Sequence, residues 1–267
     1  MTRHEPQGQP DGALAGPGGP ISTPDGPSWL RTIEHGSGDP PPQGRLVRFG
    51  PFTAVLLGAE LRYLCVGERE IIRRIHVAVR DPAWETIEPS LRTIDVNQGA
   101  DGLEVSADLR HSAEPLAFDC TVGITGSAAG LEYTMSGTCR SDFGYNRIGI
   151  CVLLPPAGYA GARYVAVGPS GATSGALPEL IGPQLIEGEL ILPLFPAFER
   201  LGIALPGDHE IEFGFAGDLF EMEDQRNWTD ASFKIYSTPL ALPRPRMARS
   251  GDNLRQSLSM RVRQLPT

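Results

Sequence analysis

Residues 102–139 read GLEVSADLRHSAEPLAFDCTVGITGSAAGLEYTMSGTC, and apolar side chains occupy every second position along three parts of this stretch. The alternating apolar residues are Leu103, Val105, Ala107, Leu109, Phe118, Cys120, Val122, Ile124, Leu131, Tyr133 and Met135. A period of two is typical of strands with one buried and one solvated face, and the segment TGSAAG is typical of a turn. The stretch therefore predicts an antiparallel meander of three strands.

Segments of the same kind recur along the chain, including ELRYLCVG, EIIRRIHVAVRD, RIGICVLLP, HEIEFGFAGD and SLSMRVR. We count roughly a dozen such segments, at the spacing expected of β-sandwiches. None of the chain gives a convincing helical period. The sequence predicts an all-β fold, a large antiparallel two-sheet β-sandwich of the supersandwich type.

The first part of the chain has a different composition. Residues 1–44 contain nine glycines and nine prolines and few large apolar side chains. Such a segment buries too little surface to offset the entropy lost on ordering. We therefore predict a disordered Pro/Gly-rich tail over 1–44 and one β-sandwich domain over 45–267.

The overall charge and hydropathy narrow the possible partners. The formal net charge of −9 argues against a nucleic-acid surface, because binding phosphates needs a basic stripe. No apolar run reaches the roughly 18 residues of a membrane span, and the N-terminus lacks the apolar core of a signal peptide. The sequence predicts a cytoplasmic protein that binds neither nucleic acid nor membrane.

Cysteine and histidine spacing offers no metal or cofactor chemistry. The four cysteines lie singly in apolar segments, which predicts buried, reduced thiols. His76, His111 and His209 are isolated, and a backbone-bonded histidine is the expected role of each. The chain also lacks a phosphate-cradling glycine motif and a nucleotide fingerprint. No metal and no cofactor are predicted.

The segment FEMEDQRNWTDASFKIY, residues 220–236, contains four carboxylates beside a tryptophan. Two neighbouring carboxylates can act as acid and base in glycoside chemistry, so Glu221, Glu223 and Asp224 are candidate catalytic residues. A structural polar network that supports a bulged strand is the alternative. The candidate sugar-binding residues of this segment are Arg226, Asn227 and Trp228.

If residues 219–228 form one extended strand, Met222 and Trp228 share a side, and that side is the one expected to be covered. Asp224 and Arg226 lie on the same side and would need each other or a ligand to offset desolvation. Glu221 would lie on the opposite side, where its replacement is expected to be nearly neutral for folding.

The segment RRIHVAVRDPAWET, residues 73–86, puts Arg74 and His76 on one face of a strand and Trp84 beyond its end. In the functional interpretation, Arg74 and His76 line a groove, and Trp84 is a platform for a sugar at its rim. An ordinary strand with a cationic solvent face is the alternative.

The segment CRSDFGYNRIGICVLLPP, residues 139–156, places a polar cluster immediately before an apolar strand. Loops at sandwich edges often carry binding residues, although a simple loop with an Asp–Arg pair is the alternative. The candidate binding residues here are Arg140, Tyr145, Asn146 and Arg147. We predict that Asp224, Arg226 and Trp228 form one supported site near Arg74 and Tyr145.

Three segments together resemble the N-terminal domain of the D-apionate lactonase family of bacterial sugar catabolism. They are FEMEDQRNWTDASFKIYSTPLALPRP, RIHVAVRDPAWET and DFGYNRIGICVLLPP. The resemblance extends from about Arg45 to the end of the chain. It implies a β-sandwich that precedes a TIM barrel and a further β domain in proteins that act on the lactone of apionate. The sandwich is also similar to the galactose-mutarotase-like superfold, whose enzymes use a Glu base and a His acid.

Three functions stay open at this point. Barrel enzymes hold their chemistry on barrel loops, and the predicted strands of this chain end without a barrel. We therefore expect a sugar-binding or accessory module whose ligand is a small carbohydrate or a sugar-acid lactone. The alternatives are a lactone hydrolase or sugar epimerase that uses a carboxylate base within the domain, and a structural domain that pairs with a separately encoded barrel protein.

Overall fold

The computed structural model describes residues 43–264, apart from 185, 188–189, 208 and 229, and its regular structure is almost entirely β-strand. The first ten strands are β1 (Arg45–Phe49), β2 (Phe52–Leu57), β3 (Glu60–Val66), β4 (Arg69–Arg80), β5 (Pro89–Gln98), β6 (Leu103–Ala113), β7 (Leu116–Ser127), β8 (Gly130–Cys139), β9 (Phe143–Tyr145) and β10 (Arg147–Leu154). The others are β11 (Arg163–Gly168), β12 (Gly171–Ala176), β13 (Ile186–Glu187), β14 (Leu190–Ile191), β15 (Arg200–Leu205), β16 (His209–Ala216), β17 (Phe220–Asp224), β18 (Phe233–Ser237), β19 (Arg246–Ala248) and β20 (Asn253–Gln264). A 3₁₀ turn, Gln225–Trp228, follows β17.

The strands form two large antiparallel sheets. A seven-stranded sheet has the order β1-β2-β3-β4-β10-β18-β17, and a nine-stranded sheet has the order β12-β11-β15-β16-β20-β8-β7-β6-β5. Two short ribbons, β13-β14 and β19-β9, lie outside them. The predicted all-β, two-sheet sandwich is confirmed. The described residues hold more strands than the dozen predicted, because short pairs of two or three residues leave no periodic signal.

The alternation in residues 102–139 sets the register of the nine-stranded sheet. Val105 of β6 lies opposite Ile124 of β7, and Ile124 lies opposite Tyr133 of β8. Because cross-strand partners point to the same face, the apolar positions of all three strands meet on one side. All eleven of the alternating apolar residues are buried.

The core lies between the two sheets and is rich in aromatic rings. Phe215 of β16 and Phe220 of β17 come from different sheets and stack with ring centroids 4.2 Å apart. At the other end of the sandwich, Phe49 of β1 reaches Gly126 of β7, where a Cβ would approach the ring to 2.6 Å. Glycine at this position therefore allows the sheets to approach closely.

One polar side chain also crosses the core. Gln256 of β20 accepts a hydrogen bond from the Ile150 amide at 2.8 Å and donates one to the Ser237 hydroxyl at 3.1 Å. The pairing of β10 with β18 ends at Cys151 and Tyr236, and just beyond that end Gln256 supplies the acceptor for the Ile150 amide. A Cβ on Gly149 would collide with both Ser237 and Gln256, so glycine is required at this position.

The predicted disordered tail lies outside the described residues, except for residues 43 and 44. The first described strand begins at Arg45, the residue at which the sequence predicts the domain to begin. Within the described ranges, no helix has the length and apolar character needed to cross a bilayer.

Candidate functional site

A polar face covers one side of four neighbouring strands in the seven-stranded sheet. The register aligns Arg74, Leu153, Lys234 and Glu223 in one row across β4, β10, β18 and β17. A second row contains His76, Cys151, Tyr236 and Glu221. We define the polar face as Arg74, His76, Arg80, Arg147, Glu221, Glu223, Lys234 and Tyr236. Because side chains alternate along a strand, this face lies opposite the core residues of the same strands.

Glu221 is the most enclosed carboxylate of the polar face, and its side chain is 3% exposed. Its Oε2 accepts hydrogen bonds from the Tyr236 hydroxyl at 3.1 Å and the Leu240 amide at 2.9 Å. Burial raises the pKa of the Glu221 carboxyl, against the opposing effects of these two hydrogen bonds and of Arg147. The sequence interpretation that Glu221 lies on a solvated side is wrong, because the chain at Leu240 folds over it.

Lys234 and Arg147 supply positive charge around the Tyr236 ring. Lys234 forms an ion pair with Glu223 at 3.2 Å, and its Nζ lies 5.7 Å from the Tyr236 ring centroid. The Arg147 guanidinium lies 3.8 Å from the same centroid, at a distance typical of a cation–π contact. Arg147 is 4% exposed, and its Nε has no hydrogen-bond partner among the described residues.

His76 is held neutral by its surroundings. Desolvation lowers the pKa of its imidazole well below the ordinary value of 6.5, and the charges of Arg74, Lys234, Arg62 and Arg80 lower it further. Its Nδ1 is buried and has no hydrogen-bond partner among the described residues. A neutral imidazole beside a hydroxyl-bearing ligand can donate or accept a proton in a hydrogen bond.

We expect the His76 imidazole to stay uncharged at pH 6. In the unfolded chain it takes up a proton near pH 6.5, so its contribution to stability is present above that pH and is lost as the pH falls. Ring-nitrogen NMR of the folded protein measures the pKa directly, and Lys234→Met is expected to raise it by removing one cation. A titration midpoint at or above 6.5 in the unmodified protein contradicts this assignment.

Arg74 and His76 also line a cavity of about 420 Å³. Arg74 is paired there with Glu60, through Nε–Oε2 and Nη2–Oε1 distances of 2.9 and 2.5 Å. Leu109 and Tyr133 are among the residues that form its apolar wall. The predicted groove lined by Arg74 and His76 is present, but Trp84 is not among the residues that line it.

Trp84 lies instead in a tight turn after β4. The Asp81 carboxylate accepts hydrogen bonds from the amides of Ala83 and Glu85, which closes the turn. Trp84 has a φ of 68°, a conformation that costs energy for a large side chain. Asn146 is buried and donates its Nδ2 hydrogen to the Pro82 carbonyl at 2.9 Å. The turn therefore presents the Trp84 ring, 39% exposed, beside Arg147.

The Asp224–Arg226 pair forms as predicted, but in a different place. Nε and Nη2 of Arg226 donate to the two carboxylate oxygens of Asp224, both at 2.8 Å, and the two side chains are 9% and 7% exposed. Arg226 also donates to the carbonyls of Pro178 and Glu179. Asp224 lies opposite Phe233 in the register, on the other side of the sheet from Glu223.

The prediction of one site near Arg74 and Tyr145 is therefore wrong, and so is the single extended strand over 219–228. The strand ends at Asp224, and the 3₁₀ turn redirects the chain. Trp228 is 56% exposed rather than covered, and its Nε1 donates to Gln184 Oε1 at 3.0 Å. Asn227 donates to the same oxygen at 3.2 Å.

Two further candidates lie apart from the polar face. Tyr145 is buried in the β9–β19 ribbon, beside Phe143 and Arg246. Arg140 forms an ion pair with Asp119 at 2.8 Å. Among the described residues, the side-chain partners of both lie at this edge of the sandwich and outside the polar face.

Sequence reasoning missed Tyr236, Lys234 and Glu60. Alternation in FKIYS puts Lys234 and Tyr236 on one side of β18, and this pattern could have identified them. Glu60 gives no local signal, because its partner Arg74 lies 14 positions away on another strand.

A further hollow of about 530 Å³ lies on the outer face of the nine-stranded sheet. Small polar side chains such as Ser106 and Thr134 line it together with Glu104 and Glu132, and none of the predicted site residues lies there. Among the described residues, no three His, Cys, Asp or Glu side chains come together in an arrangement that could hold a metal ion.

The two-sheet sandwich is the fold of galactose-mutarotase-like proteins. A galactose mutarotase-like protein from Lactobacillus casei matches it with a TM-score of 0.52 and 14% identity, over 82% of this chain and all of that one. A GH36 α-galactosidase from Geobacillus stearothermophilus matches with a TM-score of 0.53 and 10% identity, over 85% of this chain and 40% of that one. At these identities the likeness concerns the fold alone.

The chain belongs to the D-apionate lactonase family, by its N-terminal domain. The family model described as "D-apionate lactonase, N-terminal domain" matches residues 32–265. The D-apionate lactonase of Brucella anthropi is 33% identical over 205 residues, which cover 74% of this chain. The match covers 32% of that relative's length.

Proposed function

We propose that this chain is a carbohydrate-binding module of sugar catabolism that holds a small sugar or a sugar-acid lactone against the polar face. The observation that carries the proposal is the exposed Trp84 ring beside Arg147, next to a face rich in hydrogen-bonding groups. Aromatic rings bind the apolar faces of sugars, and neighbouring polar groups hold the hydroxyls. The lactone class follows from the name of the Brucella anthropi relative.

The state of the carboxylates favours binding over catalysis. A general base must lie within hydrogen-bond reach of the proton that it removes. Glu221 is enclosed and already accepts two hydrogen bonds, and Glu223 is paired with Lys234. One observation favours the alternative, a lactone hydrolase or a sugar epimerase: burial raises the pKa of Glu221, as a carboxyl group in acid–base catalysis requires. That activity would need the chain around Leu240 to open.

A fluorescence titration with D-galactono-1,4-lactone tests the proposal. We expect a saturable change in tryptophan emission, and we expect Trp84→Ala to weaken binding by at least about fivefold, the equivalent of one aromatic contact. Trp228→Ala is the matched control, because Trp228 is exposed outside the polar face, and it should leave the affinity unchanged.

The same samples separate binding from turnover. Consumption of the lactone by the purified chain, abolished in Glu221→Gln, would replace the binding module with an enzyme. The absence of any saturable signal with the lactone or with a neutral sugar would remove the proposed function.

A further inference from the structure

We propose that Arg80, Arg147 and Arg244 form an anion site around Trp84 that takes the carboxylate of a sugar acid. This inference rests on the proposed function and names the ligand class more closely. An open-chain sugar acid carries a carboxylate, whereas its lactone and a neutral sugar carry no charge. The site would therefore discriminate the acid from both.

Three guanidinium groups converge on one tryptophan. The guanidinium carbons of Arg147 and Arg244 each lie 5.5 Å from the Trp84 ring centroid. Arg80 donates from Nη1 to the Trp84 carbonyl at 3.0 Å. The three arginines come from β4, β10 and the segment before β19, so the tertiary fold brings them together.

The pairing of β4 with β10 brings two of these positive charges together, which destabilises the sheet unless an anion lies between them. Arg80 and Arg147 lie directly opposite each other in the β4–β10 pair. Like charges in directly opposite positions destabilise a sheet. The whole chain has a formal net charge of −9, so a local cluster of cations is not a result of its composition.

Within the described ranges, none of the three arginines forms an ion pair with a carboxylate. Arg147 is 4% exposed, and no described residue forms a hydrogen bond with its Nε. A buried cation needs compensation, because desolvation is expensive. The Arg147 charge acts to lower the pKa of the Glu221 carboxyl. The two hydrogen bonds that Glu221 accepts nevertheless come from the Tyr236 hydroxyl and the Leu240 amide, and not from Arg147.

The chemistry of the site fits a sugar carboxylate. Guanidinium groups present planar pairs of donors that match a carboxylate. The exposed Trp84 ring beside them offers an apolar platform for the carbon chain of a sugar. The strained backbone of Trp84 holds the ring at this point, and such strain is concentrated at ligand-binding sites. A free phosphate would use the guanidinium groups but not the ring.

Calorimetric titration of the full chain with sodium D-gluconate, D-glucose and inorganic phosphate, at constant ionic strength, tests the inference. We expect gluconate to bind at least tenfold more tightly than glucose or phosphate. Arg244→Gln should lower the gluconate affinity at least tenfold and the glucose affinity by a much smaller factor. Arg246→Gln is the matched control, because Arg246 lies two positions along the chain from Arg244 but contacts Tyr145. It should leave the gluconate affinity unchanged. Arg80→Gln provides a second variant at the site.

The outcomes separate this inference from the proposed function. Equal affinity for gluconate and glucose, or gluconate binding unaffected by Arg244→Gln and Arg80→Gln, would overturn the carboxylate site and leave the binding module standing. Phosphate binding as tight as gluconate binding would overturn the assignment to a sugar acid. If none of the three ligands binds and the lactone also fails to bind, both proposals fall.

Discussion

Asp224→Ala is expected to lower the free energy of unfolding by about 3–5 kcal/mol, the typical cost of removing one partner from a buried ion pair. The substitution leaves the Arg226 guanidinium without its anion in a position that is 9% exposed. The carbonyls of Pro178 and Glu179 still accept hydrogen bonds from Arg226, and the Phe233 ring lies 4.6 Å from its guanidinium carbon. These neutral groups do not replace a full negative charge.

The matched control is Asp142→Ala, which breaks an ion pair of similar length at the surface. Asp142 and Arg249 lie 2.9 Å apart and are 55% and 70% exposed. Exposed pairs contribute below about 1 kcal/mol. Chemical denaturation of both variants measures the difference. Adding Arg226→Met to Asp224→Ala should recover part of the loss, because the unpaired charge is then gone. A stability of Asp224→Ala within about 1 kcal/mol of the parent would show that the pair is unimportant.

Glu221→Ala is expected to have the second largest effect and to lower the free energy of unfolding by about 2–4 kcal/mol. Its carboxylate is the acceptor for the Tyr236 hydroxyl and the Leu240 amide, and both residues are buried. Each buried donor left without an acceptor costs about 1–3 kcal/mol. The loss is moderated because the enclosed carboxylate is itself destabilised by burial, as its raised pKa indicates.

Glu221→Gln separates these two contributions. The amide keeps an acceptor oxygen and removes the buried charge, so the loss should be smaller than for alanine. Because the folded pKa of Glu221 is raised, its contribution is most favourable below the ordinary pKa and declines as the pH rises through the folded value. The stability difference between Glu221→Gln and the parent should therefore shift in favour of glutamine as the pH rises. Glu212→Ala, at a partly exposed pair with Arg263, is the control expected to change little.

Local pattern was sufficient for the fold class. The period of two in residues 102–139 predicted three strands and their buried faces, and every alternating apolar residue there is buried. This succeeds because a strand with one solvated face must separate apolar from polar side chains at every step. The same reasoning placed Arg74 and His76 on one face of β4.

Pairing between near neighbours could also be anticipated. Asp224 and Arg226 were predicted to compensate each other, and they form a bidentate pair. The prediction of their location failed at the next step. A 3₁₀ turn begins at Gln225. Side chains alternate between the two faces only in an extended strand, so the predicted faces of the residues after Asp224 no longer apply.

The sequence by itself determined the strands, the side of each strand that is apolar, and one local ion pair. Only the tertiary structure decided which polar residues meet. Glu221 lies beside Tyr236 and in one row with His76 because β17, β18, β10 and β4 follow one another in one sheet, although the chain between β4 and β17 passes through most of the other sheet. Arg80 and Arg147 meet because β4 and β10 are paired, and the segment before β19 brings Arg244 to the same tryptophan, Trp84. Hydrogen bonds between strands fix such neighbours, and a period of two carries no information about which strand lies alongside.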